Sequence, residues 1–199
     1  MHSRVLAASL FMVVAAALGA CTSDDEPASP TTRATTESSS TPSATDATKG
    51  TPGVSASAAG GEQVQLKNTV KFRVPAEYDW LIDDSGDSIL ATAVIDGGVL
   101  DISSHDVLWD SGSLEEAADI TLDTWNEDTS ATYRRTANRT VAGVEGFVIG
   151  GKRNQTLLLE FGTLHNGRLV TLDLNHPETF DPATAVEIFD AVLASVEWK

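Results

Sequence analysis

The feature that most constrains this chain is a forty-residue stretch, 22–61, in which Val54 is the only aliphatic residue larger than Ala. Thr, Ser, Ala, Pro and Gly fill most of the rest. Such a segment cannot bury enough apolar surface to offset the entropy of ordering its backbone, so its composition predicts a disordered tether. As flexible chain it has an r.m.s. reach of about 35 Å. What folds must come from the flanks. Residues 62–199 supply 138 residues, enough for one adequate core without disulfides.

The N-terminal flank has three parts. His2, Ser3 and Arg4 form a short basic start, and Val5–Leu18 is an apolar run of fourteen residues. A helix of that length falls short of the roughly 20 residues needed to cross a bilayer core. It matches the apolar region of a secretory signal instead. The following Leu18-Gly19-Ala20-Cys21 resembles a bacterial lipobox. That resemblance implies cleavage before Cys21, a thioether-linked diacylglycerol on its sulfur and often a further acyl chain such as palmitate on the new amino group. One chain anchors marginally, whereas two or three hold. The expectation is a protein lipidated at Cys21 and held on the extracytoplasmic face of a cell membrane.

Cys21 is the only cysteine, so the folded part has no thiol nucleophile, no Cys-ligated metal and no disulfide. The chain carries 29 acidic and 13 basic residues, net −16, and loss of residues 1–20 removes Arg4 and no acid. That charge excludes nucleic acid as a partner and leaves membrane attachment to acyl chains rather than electrostatics.

From Gln63 onward the pattern changes. Val64, Leu66, Val70, Phe72 and Val74 alternate with other residues up to Pro75, the mark of strand. Ser88–Asp96 and Val99–Ser103 read as a hairpin about Asp96-Gly97-Gly98. Ser113-Leu114-Glu115-Glu116 is a capping box opening a helix over 113–127, with Leu114, Ala118, Leu122 and Trp125 on its apolar face. Strands are predicted over 130–141, 146–153, 155–164 and 168–174, the last two joined by Asn166-Gly167. Asp181-Pro182 caps a final helix predicted to run nearly to Lys199. The expectation is an α+β domain over 62–199, an antiparallel sheet of roughly six to seven strands with helices packed on it.

Two segments carry a family resemblance. Val70-Lys71-Phe72-Arg73-Val74-Pro75 followed by Tyr78-Asp79-Trp80 resembles the opening strand of PsbP-like domains. Thr140-Val141-Ala142-Gly143-Val144-Glu145-Gly146 resembles their glycine-containing turn between sheet strands. The order of elements is similar to the fold shared by the photosystem PsbP proteins and the Ran-binding Mog proteins. With lipobox and tether added, the chain resembles the LpqN/LpqT-type lipoproteins of mycobacteria and related actinobacteria. The resemblance implies a PsbP-like α/β/α sandwich with an accessory or binding role, and it brings no catalytic residues with it.

Several residue groups invite a chemical reading. Gly146–Lys152 spells the letters of a phosphate loop, but β-formers fill it, Arg153 follows the Lys, and no helix pattern comes next; Gly150-Gly151 instead suggests a bulge. Of the histidines beyond the signal, His165 and His176 are expected in solvent, and His105 beside Asp106 is the one candidate base. Asp83–Ser88 has oxygen ligands about a Gly but lacks the spacing of a calcium loop, so it reads as a polar turn. Neither a cofactor nor a metal is expected.

Charge is unevenly placed. Residues 77–128 carry fifteen acids and no Lys or Arg, while Arg134, Arg135, Arg139, Lys152 and Arg153 cluster behind them. Trp109, between Asp106 and Asp110 in an expected loop, is either core or the apolar anchor of an acidic rim that binds a partner. The leading expectation is a non-enzymatic adaptor for other cell-envelope proteins. The alternative is a binder of an envelope lipid or glycan in a sheet–helix pocket, with a hydrolase third. Oligomeric state is left open.

Overall fold

The computed structural model describes residues 53–110 and 112–199; Cys21 and the tether up to residue 52 lie outside the described residues. In chain order the elements are β1 (Gln63–Leu66), β2 (Val70–Arg73), β3 (Leu81–Asp84), β4 (Ser88–Ile95), β5 (Gly98–Leu108) and α1 (Leu114–Asn126). Then come β6 (Ala131–Arg135), β7 (Arg139–Val141), β8 (Val144–Arg153), β9 (Thr156–His165), β10 (Arg168–Pro177), α2 (Pro182–Ala194) and β11 (Glu197–Trp198). The class is α+β, as the sequence predicts.

The main sheet is antiparallel, ordered β3-β4-β5-β10-β9-β8-β6, with β7 also paired to β8. It has eight strands rather than six to seven, and a second sheet of three, β1-β2-β11, lies apart from it. Both unforeseen strands have a local cause. Leu81–Asp84 is an exposed edge strand and shows no clean alternation. The final helix stops at Ala194 because the Ser195 hydroxyl donates to the Val192 carbonyl and accepts from the Arg73 N–H of β2, which frees Glu197-Trp198 to pair with β2. No bulge forms at Gly150-Gly151, where the ladder runs unbroken on both sides. Gly151 is small for another reason: a Cβ there would lie 2.6 Å from the Tyr133 Cα of the neighbouring strand.

The two long hairpins turn on Asp96-Gly97 and Asn166-Gly167, whose φ angles are all positive (50° and 79°; 50° and 72°). That is the twist a tight antiparallel hairpin requires. It also fixes register, and with it which side chains share a face.

One face of the main sheet presents Ile89, Ala91, Leu100, Ile102, Val148, Phe161, Leu172 and Leu174 to α2 and the small sheet, which contribute Ile188, Phe189, Val192, Phe72 and Leu66. The opposite face is covered only in part. There α1 packs over β6, β8 and β9, forming a smaller core of Ala117, Ala118, Tyr133, Phe147, Ile149, Leu158 and Leu169. The β3–β4–β5 half of that face is left bare. Register places Leu81, Leu90, Val94, Val99 and Val107 together on it, and all five are exposed.

The folded unit begins earlier than residue 62. Gly53 bridges to Thr140, Val54 packs on the larger core, the Ala59 N–H donates to the Ala191 carbonyl at 2.9 Å, and Gly61 donates to Val74. Residues 53–61, expected to be tether, lie against the domain because small side chains let their backbone approach α2 and β2 closely.

Candidate functional site

The partial cover of α1 leaves a cavity of about 380 Å³ between that helix and strands β5, β9 and β10. Its apolar wall is Val107, Trp109, Ile120, Trp125 and Leu169, and its polar wall includes Ser103, His105, Thr121, Thr124 and Asn175. Two acids, Glu160 and Asp173, sit among them. A larger cleft of about 650 Å³ opens between the β6 edge and the start of α2. It has no buried polar atom lacking a partner, so the smaller cavity has the stronger chemical character.

The acids meet through the hairpin. From the His165–Arg168 pair beside the turn, five residues back along each strand lead to Glu160 and Asp173, which stand directly opposite each other. Directly opposed residues share a face with Cβ atoms about 5 Å apart. Ser103 of β5 stands opposite Asp173 on the other side. Glu160 is 1% exposed and Asp173 4%. The Trp125 indole N–H donates to Glu160 Oε2 at 2.5 Å, and the Ser103 hydroxyl donates to Asp173 Oδ2 at 3.3 Å. The remaining oxygens, Glu160 Oε1 and Asp173 Oδ1, have no partner.

Two buried carboxylates side by side with no basic side chain bonded to either cannot both ionise cheaply. Burial pushes Glu160 up to about 7, against the opposing pull of the Trp125 bond. Burial raises Asp173 well above the ordinary carboxylate range, the charge of Glu160 raises it further, and the Ser103 bond only partly offsets this. Near neutral pH the pair therefore retains protons that isolated carboxylates would have lost. His105, on the cavity wall, is lowered by its partial burial and is largely neutral there.

The residues singled out in the sequence fall in different places. Asp106 is not on an exposed rim. It points to the opposite face of β5 from His105, so it cannot orient that ring. Its carboxylate is buried, accepting from Thr69 Oγ1 at 2.7 Å and from Arg168 Nε and an Nη at 2.7 and 2.9 Å. Burial pushes Asp106 up, but the Arg168 and Thr69 bonds and the Arg168 charge outweigh it, and the net shift is downward. Asp110 is exposed. Trp109 lies between the two expectations: half-buried against the α1 core, it walls the cavity, and its buried indole N–H has no partner. Val107 and Leu108, expected in a loop, end β5.

His176, expected in solvent, is 3% exposed and lies edge-on to Phe180. His165 lies against Trp198, ring centroids 5.2 Å apart. Gly146–Lys152 is strand throughout, so it forms no phosphate loop. Asp83–Ser88 is a hairpin turn closed by the Gly86 N–H on Asp84 Oδ1. Among the described residues no group of three or more potential metal ligands converges. The acidic strands β3–β5 and the basic strands β6 and β8 lie at opposite edges of the sheet, yet α1 carries acids onto the basic edge, where Glu115 pairs with Arg135 at 2.5 Å.

No protein-family model matches the sequence, and no curated protein does. Among solved structures, the cyanobacterial PsbP (CyanoP) of Synechocystis sp. PCC 6803 is similar over 69% of this chain and 92% of its own, at 16% identity and a TM-score of 0.52. The domain has a PsbP-like fold. A crystal structure from Bacteroides thetaiotaomicron VPI-5482 aligns over 70% of this chain and 48% of its own, at 13% identity and a TM-score of 0.42, too low to carry an argument. On the PsbP-like frame, the acid pair sits on the central hairpin β9–β10 and α1 forms one wall above it.

Proposed function

We propose that this protein is a lipid-anchored, extracytoplasmic binding protein of the LpqN/LpqT type, attached through Cys21, whose PsbP-like domain takes an amphiphilic envelope ligand in the cavity beneath α1. One observation carries this reading: the interface between α1 and the sheet is open and holds buried polar groups that lack partners. A closed, fully packed interface would leave no room for a ligand. Beside the cavity, the same sheet face exposes Leu81, Leu90, Val94, Val99 and Val107 interspersed with Asp83, Thr92, Asp101 and His105, a mixture that suits a ligand with apolar and polar parts. Those apolar side chains favour a lipid over a glycan.

The bare strip also suits the adaptor reading, in which an envelope protein covers it. In that case Trp109 contributes from the cavity wall rather than from an acidic rim, because Asp106 is committed to Arg168.

Mass spectrometry of the protein purified from envelope tests the reading. Native chain should carry a lipid that Thr124→Trp, which fills the cavity mouth, does not; equal lipid on both chains, or none on either, would overturn it. Attachment is tested separately by metabolic labelling with a fatty-acid analogue. Cys21→Ala should be unlabelled and released from membranes, and labelled, retained mutant would refute the anchor.

A further inference from the structure

We infer that the cavity beneath α1 recognises a protonated amine, whose ammonium group sits against Glu160 and Asp173. This inference rests on the ligand-binding reading and names the chemistry of the ligand's head. Its first support is the unpaired oxygens. Glu160 Oε1 and Asp173 Oδ1 belong to side chains at least 96% buried that line the cavity, and both can only accept once ionised. A buried acceptor left without a donor is costly, so its proper complement is a donor the chain does not itself provide.

The second support is charge. Neither Lys nor Arg lines the cavity, although an uncompensated buried carboxylate is among the most unfavourable groups a protein can hold. An ammonium supplies the absent positive charge and up to three N–H donors at once. A neutral polyol supplies donors but no charge, and an anion supplies neither. The third support is the wall. Trp109, Trp125 and Leu169 line the same cavity and limit the water that could solvate the acids in place of a ligand.

Binding then carries a defined proton balance. The ammonium enters already protonated, every proton still held by the acid pair leaves to solvent, and two carboxylates face one cation. Affinity must therefore rise with pH through the range in which the pair ionises. Of the other groups on the packed elements, His105 on β5 has its pKa lowered by burial and gains positive charge as pH falls, which acts in the same direction. The remaining charges on these elements are Asp101 on β5, Glu116, Asp119 and Asp123 on α1, and Arg153 at the far end of β8.

Titration calorimetry with hexylammonium, hexanol and methyl glucoside tests the proposal on the full chain. An alkylammonium stays protonated across this range, as a lysine side chain does. Hexylammonium should bind more tightly at about pH 7.5 than at about pH 5.5, approaching tenfold per unit where one proton is released. Glu160→Gln and Asp173→Asn, folded by circular dichroism, should each weaken it roughly tenfold, and the pH dependence should vanish only when both are replaced. Hexanol or methyl glucoside binding as well as hexylammonium, without pH dependence, would overturn the ammonium assignment and leave the ligand cavity standing. Failure of all three probes would overturn both. The wild-type pH series needs no variant, so a misfolded mutant cannot rescue the idea.

Discussion

Glu160 and Asp173 are the residues where chemistry and stability meet. A carboxyl raised from 4.5 to about 7 in the folded state keeps a proton that the unfolded chain has released. Between those values the native state binds more protons, so stability falls as pH rises and the loss is complete only above about 7. A shift of this size corresponds to about 3 kcal/mol. Urea denaturation should therefore show the domain less stable at about pH 8 than at about pH 5.5. Glu160→Gln keeps the acceptor for the Trp125 N–H and removes one of the two ionisations, so it should reduce that dependence and stabilise the domain at about pH 8. A wild-type stability that is level across this range would show that the pair ionises freely, and the cavity chemistry would lose its basis. The cost of keeping two acids in the core is the kind of local conflict that functional sites retain.

At the scale of elements, the hairpin β9–β10 shows why some of the site was legible and some was not. The Asn166-Gly167 turn was readable, and with it the register that sets Glu160 against Asp173. An acid within Leu157-Leu158-Leu159-Glu160-Phe161, and another within Leu172-Asp173-Leu174, interrupt apolar runs at buried positions, so both signals were present. Missing was the third wall. Nothing local in α1 states which strands it covers, and the cavity exists only because that cover is incomplete. Asp106 misled for a related reason: sequence neighbours of Trp109 need not share its surroundings when strand alternation turns them to opposite faces. Central packing of this element is testable at Gly162. A Cβ there would lie 2.1 Å from the Phe147 ring, so Gly162→Ala should cost about 1–3 kcal/mol by overpacking. Adding Phe147→Leu should recover part of that loss, since contacting sites are not additive. Equal losses in the single and double variants would show that the backbone shifts and the rings do not set the spacing.

For the whole molecule, the boundary between the low-complexity segment and the domain decides how the proposed anchor would be coupled to the cavity. Composition places it at residue 61, because Gly, Ser and Ala bury little area. The structure places packed chain from residue 53, since a segment without bulk can still contribute backbone bonds and fill a shallow groove. Ala59 is 8% exposed and its N–H caps onto Ala191 of α2, while Gly61 lies so close to β2 that a Cβ would meet the Val74 carbonyl at 2.4 Å. A net hydrogen bond contributes about 1 kcal/mol, and the burial of Val54 and Ala59 adds a similar amount. A chain beginning at Glu62 should therefore melt roughly 5 °C or more below one beginning at Thr51. Gly61→Val in the longer chain, which blocks the close approach without deleting anything, should reproduce much of that loss. Identical melting of all three chains would mean that residues 53–61 contribute no packing to the domain.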